Sequence, residues 1–199
     1  MVAAHPLVGA RNIRELIELS KAKPGTLFYG TGGHGSTLHL AGELLRTRAG
    51  MDWTHVPYKG GGPAVLDVVA GTTPLIYAAM TPLLPFLKTG KLVGIGIAQS
   101  QRSPLAPDVP TFREHGISNV DVVTWYALMG PAGMPKAAIN KLSAEVAAIL
   151  KQPDIVERLA NQGLEASPST PQQLGDELKA DLARWKQVTR DANIALTDR

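Results

Sequence analysis

Leu27-Phe28-Tyr29-Gly30-Thr31-Gly32-Gly33-His34-Gly35-Ser36 decides the fold. Its first three residues form a short buried strand and the glycines a tight turn. Ser36 then caps a helix running through Leu40, Leu44 and Leu45 to Gly50. The same sentence is spoken again downstream. Trp53-Thr54-His55-Val56 is a strand, Pro57-Tyr58-Lys59-Gly60-Gly61-Gly62 a loop, and Pro63 opens a helix that closes at Gly71. Leu75-Ile76-Tyr77 follows as a strand, then a helix from Thr81-Pro82 to Gly90, then a strand from Leu92 to Ala98. Ahead of them all, Asn12 and Glu15 make a capping box for a helix ended by Pro24-Gly25. Strands alternating with helices of this length predict an α/β fold around a mostly parallel sheet over residues 12–98.

Beyond this region the pattern changes. Ser100 to Pro110 is irregular, and Thr111 with Glu114 makes a capping box for one short turn ending at Gly116. Val120 to Met129 reads as a long strand. Helices alone follow: one from Pro135, one from Pro153 capped by Gly163, and one from Thr170-Pro171, each with a one-sided apolar stripe.

Composition narrows the function. The chain has 199 residues, no cysteine, 44% apolar and 19% charged residues, and 20 Lys+Arg against 17 Asp+Glu for a net charge of +3. That is enough apolar material for a core, and it excludes disulfide scaffolds, thiol nucleophiles and thiolate metal sites. The cations are scattered, so no nucleic-acid partner is expected. No apolar run reaches the ~20 residues of a membrane span, and no export signal is visible at the first residues.

Gly30 to Gly35 matches G-x-G-x-x-G. A dinucleotide site also needs an acid at the end of the second strand, and Asp52 lies before that strand. What survives is more general. Two glycine loops, each after a strand and before a helix, expose backbone N–H groups where the helix dipole favours an anion. Thr31 and Ser36 add hydroxyls, and Lys59 adds charge. Two tight turns with no ligand would look the same in sequence. His34, His39 and His55 lack metal-ligand spacing, and neither a catalytic set nor a cofactor motif is present.

Taken together and in order, several motifs resemble the tripartite tricarboxylate transporter substrate-binding proteins, the Bug receptors. They are Ala22-Lys23-Pro24-Gly25, the Tyr29-to-Ser36 loop with His39-Leu40, and His55-Val56-Pro57-Tyr58-Lys59-Gly60. Further on come Gly90-Lys91-Leu92, Arg102-Ser103, Pro107-Asp108-Val109-Pro110-Thr111, Glu114-His115-Gly116, and Trp125 ahead of Pro131-Ala132-Gly133. The resemblance runs from about residue 5 to 195.

It implies a periplasmic, non-enzymatic receptor of the type II binding-protein fold, taking a small di- or tricarboxylate to a membrane transporter. Residues 5–121 would form the second, ligand-binding lobe. Residues 122–199 would hold the crossover strand and the C-terminal helical part of the first. The ligand would be held by Thr31, Gly32, Gly33, Gly35 and Ser36, and by Tyr58, Lys59 and Gly60. The family usually carries an acid where this chain has Ala78. Members also carry a signal peptide and a further stretch before the matched region. The resemblance therefore implies a chain lacking its N-terminal part, with weakened binding and with its C-terminal helices buried in a homo-oligomer or swapped dimer. The competing reading is an α/β enzyme acting on a small anionic metabolite through the same loops. A third is an effector-sensing module of a transcription regulator.

Overall fold

The computed structural model describes residues 1–122, 125–162, 164–191 and 194. They fall into two compact units, Met1–Thr124 with Val188–Arg199, and Trp125–Gln187.

The first unit holds a five-stranded sheet of β1 (Val2–Ala4), β2 (Phe28–Thr31), β3 (Thr54–Pro57), β4 (Leu75–Tyr77) and β5 (Val93–Gly96), in the order β3-β2-β4-β1-β5. Four helices belong with it: α1 (Ile13–Ala22), α2 (Thr37–Ala49), α3 (Gly61–Val69) and α4 (Leu84–Lys88). The α/β alternation is as the punctuation predicts. The sheet is mixed: the four strands of residues 12–98 run in one direction, as expected, and β1, which precedes them, runs against them. β2 runs parallel to β3 and β4, whereas β1 lies antiparallel between β4 and β5. β1 is an interior strand, inserted between β4 and β5, and its Val2, Ala3 and Ala4 are all fully buried.

The caps follow the local rules. Asn12 Oδ1 accepts from the Glu15 amide at 3.1 Å, and Ser36 Oγ accepts from the His39 amide at 3.2 Å. Thr111 and Glu114 exchange bonds of 2.9 and 3.1 Å, side chain to backbone in both directions. Arg102 clasps the same Glu114 carboxylate and holds its pKa down at about 2. Below the loops, Tyr29 is fully buried, stacked on Trp53 with centroids 4.3 Å apart. Its hydroxyl donates to Glu43 at 2.8 Å, and Glu43 pairs with Arg46 at 2.7 Å.

The strand expected over Val120 to Met129 does not form in its described residues. Val123 and Thr124 lie outside them. A strand needs a ladder, and the edge of β5 offers this segment one bond, Val122 N–H to Ala98 O at 3.0 Å. Thr111 already bridges Ile97 on that edge.

The second unit holds α5 (Lys136–Ile149), α6 (Pro153–Asn161) and most of α7 (Pro171–Asp191). All three start where the prolines predict, and Thr170 and Gln173 form a further capping box. The expected cap Gly163 lies outside the described residues. Trp125 Nε1 donates to Asp181 at 2.7 Å. No residue of α5 or α6 is buried, and Leu142, Ile149, Val156 and Leu182 stand exposed.

Candidate functional site

The two glycine loops come together because β2 and β3 are parallel neighbours, so both strands deliver their loops to the same sheet edge. They are joined directly. Tyr58 N–H donates to Thr31 O and Gly60 N–H to Gly32 O, each at 3.0 Å. At Gly32 a Cβ would sit 3.1 Å from the Gly61 nitrogen and 3.3 Å from the Gly60 carbonyl carbon. Only glycine lets the loops approach this closely.

Beside this junction is a cleft of about 220 Å³. Thr31, Gly32 and Ser36 line it from the first loop, Gly61, Ala64 and Val65 from α3, and Ile76 to Ala79 with Pro82 from the end of β4 and beyond. Of the predicted ligand residues, Thr31, Gly32 and Ser36 reach the cleft wall. Gly33, Gly35, Tyr58, Lys59 and Gly60 belong to the same loops and are not among the lining residues. Gly61 and the apolar wall of α3 and β4 were missed. Their signal was weak, because apolar residues at the end of a strand look like core.

The hydroxyls are used inside the loop. Thr31 Oγ1 donates to Gly33 O at 3.2 Å, and Ser36 Oγ donates to the same carbonyl at 2.8 Å. The Tyr58 hydroxyl is engaged with Asp67 at 2.9 Å and Thr73 at 2.6 Å, and partial burial raises its pKa. The donors left for an anion are therefore backbone amides. α2 has a side-chain cap in Ser36, whereas α3 has none, its cap residue being Gly60. Its first-turn amides, Gly61 and Gly62, have no partner within the helix, and Pro63 has no N–H to offer. Lys59 is exposed next to them.

Three histidines gather on the other side of Thr31. His34 in the first loop, His39 in the first turn of α2 and His55 on β3 each offer a ring nitrogen, all within 4.8 Å of one another. The linear spacing did not suggest this grouping. It arises because β3 sets His55 opposite Tyr29, beside the start of α2. The His39 and His55 rings stack with centroids 3.8 Å apart. Burial, and then the neighbouring imidazoles, lower the pKa of His39 and push that of His55 down to about 4.

The first unit is thus a mixed α/β sheet with a small cleft beside the start of a helix that has no side-chain cap. The chain belongs to the tripartite tricarboxylate transporter receptor family, whose model, described as "Tripartite tricarboxylate transporter family receptor", matches residues 1–194. Among curated relatives it is 32% identical over 179 residues to a UPF0065 protein in the tcbD-tcbE intergenic region of Pseudomonas sp. strain P51. That match covers 89% of this chain and 53% of the relative. It is 31% identical to Protein BugT of Bordetella pertussis, covering 98% of this chain and 60% of that protein. The chain thus spans little more than half the length of these two relatives.

Solved structures agree on the fold. One described as a periplasmic transporter superposes with a TM-score of 0.88 at 36% identity, over 98% of this chain and 65% of its own. R. palustris Rpa4515 with adipate gives 0.89 at 29% identity, over 98% and 65%. MatC from Rhodopseudomonas palustris with bound malate gives 0.80 at 30%, over 94% and 65%. The fold is that of the periplasmic binding proteins. The family is one of receptors and not enzymes, and this membership is what sets the enzymatic alternative aside. Among the described residues, no helix is long and apolar enough to cross a membrane.

Proposed function

We propose that this chain captures a small aliphatic dicarboxylate in the cleft beside Gly32, as the ligand-binding part of a periplasmic receptor serving a membrane transporter. The observation that carries the reading is the start of α3. It is a helix N-terminus without a side-chain cap, held against the cleft by the Gly60–Gly32 bond. Amides there suit one carboxylate group. The rest of the wall, Ala64, Val65, Ile76, Ala78 and Pro82, suits a hydrocarbon body. No side chain lining the cleft is acidic, so a ligand needs no ammonium group to pair with it. Adipate and malate, bound by two of the structural neighbours, have this chemistry.

In this reading residues 5–121 are the ligand-binding lobe, and residues 122–199 carry the crossover and the C-terminal helices of another. Thr31, Gly33, Gly35 and Ser36 shape the first loop, Tyr58 and Gly60 fix the second, and Lys59 draws the anion in. Isothermal titration of the chain with adipate is expected to give saturable 1:1 binding, with a Kd of about 1 mM or tighter. Hexanediol, with the same carbon body and no charge, is expected to give none. Equal heats from both compounds would overturn the carboxylate assignment.

The exposed stripes of α5 to α7 complete the proposal, covered by a second copy of the chain. Sedimentation velocity is expected to show a dimer or larger. A monomer at tens of micromolar would remove this part and leave the ligand site untouched.

A further inference from the structure

We propose that His34, His39 and His55 form a binding site for a divalent first-row transition cation, zinc above all, with water completing the coordination. Three imidazoles and an open fourth position are a recurrent zinc arrangement. Imidazole also selects zinc, nickel or copper over magnesium or calcium. Here the three ligand atoms already lie within 4.8 Å of one another. A tetrahedral ion with Zn–N near 2.0–2.1 Å wants them about 3.3 Å apart. The closure required is thus about 1.5 Å. His34 is exposed between Gly33 and Gly35, and one of the stacked His39 and His55 rings has to turn for both lone pairs to meet the ion.

Thr31 Oγ1 lies 2.7 Å from His55 Nε2, and when the ring donates in that contact Nδ1 of His55 keeps its lone pair. A ring N–H held by a neighbouring oxygen is the support that metal-ligating histidines use. On His39 the Gly35 amide donates to Nδ1 at 3.1 Å. A cation competing for that lone pair displaces one bond from an exposed residue.

The site shares Thr31 and the first loop with the carboxylate cleft, but none of its three histidines lines that cleft, so the two can be tested separately. Titration of tag-free chain with zinc chloride at pH 7.5 is expected to show one site with micromolar or tighter Kd. Cobalt is expected to produce the intense visible absorption of a tetrahedral nitrogen-bound ion. His34→Ala changes an exposed loop residue and should leave the fold intact while weakening zinc at least tenfold. His55→Gln should do the same. Replacing His5 and His115, which lie outside the cluster, should change nothing. Absent zinc heat, or unchanged affinity and cobalt spectrum in His34→Ala, would overturn the site, whatever happens with adipate.

Discussion

Replacing Gly32 with valine is expected to lower the affinity for adipate at least about 100-fold, equivalent to about 2.8 kcal/mol. The effect should come from geometry. A Cβ at Gly32 already meets the Gly61 nitrogen at 3.1 Å and the Gly60 carbonyl carbon at 3.3 Å. Both are backbone atoms and cannot rotate aside. Valine adds two methyl groups at the same place, so the second loop has to move. The Gly60–Gly32 hydrogen bond goes with it, and the α3 amides lose their position against the cleft. Calorimetry measures the affinity, and circular dichroism checks that the chain is folded. Affinity within threefold of the wild type would mean that the carboxylate does not sit at the start of α3. Gly33 is the less telling choice, because a Cβ there meets only the Tyr58 carbonyl oxygen at 3.5 Å while its φ of +151° strains any side chain, so a loss of binding would report the loop backbone and not the junction.

The second large effect is expected on stability. Gly42 lies inside α2, where replacing glycine ordinarily gains up to about 1 kcal/mol. Here the gain should be overwhelmed. A Cβ on Gly42 would stand 2.4 to 2.6 Å from the Cε2, Cζ and hydroxyl of Tyr29. That ring cannot yield, since Trp53 stacks on one side and Glu43 holds the hydroxyl. Overpacking a fixed core costs about 1–3 kcal/mol, occasionally more. Gly42→Val is therefore expected to lower Tm by about 2–12 °C in a chain of this size. Gly175→Ala in α7 meets nothing within 4 Å and should raise it slightly. A Gly42→Val protein as stable as the wild type would show that Tyr29 has somewhere else to go.

What the sequence made legible was local chemistry. Ser36, Asn12, the Thr111–Glu114 pair and the Thr170–Gln173 pair all act within three positions of themselves, and each caps as read. The two glycine loops were found for the same reason, and family motifs then said what such loops do. Features that depend on distant partners were not legible. Nothing in Val2-Ala3-Ala4 announces a central strand, because its partners are Leu75 to Tyr77 and Val93 to Gly96. Val120 to Met129 has the composition of a strand, but in its described residues no ladder forms beyond the Val122–Ala98 bond. His34, His39 and His55 become neighbours only through the pairing of β2 with β3. The role of the cleft hydroxyls was likewise hidden. Whether Thr31 and Ser36 face a ligand or the Gly33 carbonyl is decided by loop geometry and not by residue type.

The placement of β1 has a kinetic consequence. β2, β3 and β4 can assemble in chain order, β3 adding to one edge of β2 across α2 and β4 to its other edge across α3. β5 cannot join them, because the slot between it and β4 belongs to β1, the first strand of the chain. Closing that slot brings Val2 to Tyr77 and to Gly96 at once. Contacts between such distant segments make a late and slow step. Until it is taken, β4 and β5 each present an unpaired edge to any strand that comes by. The refolding yield of this chain should therefore fall with protein concentration, and the aggregates should be joined through β4 and β5.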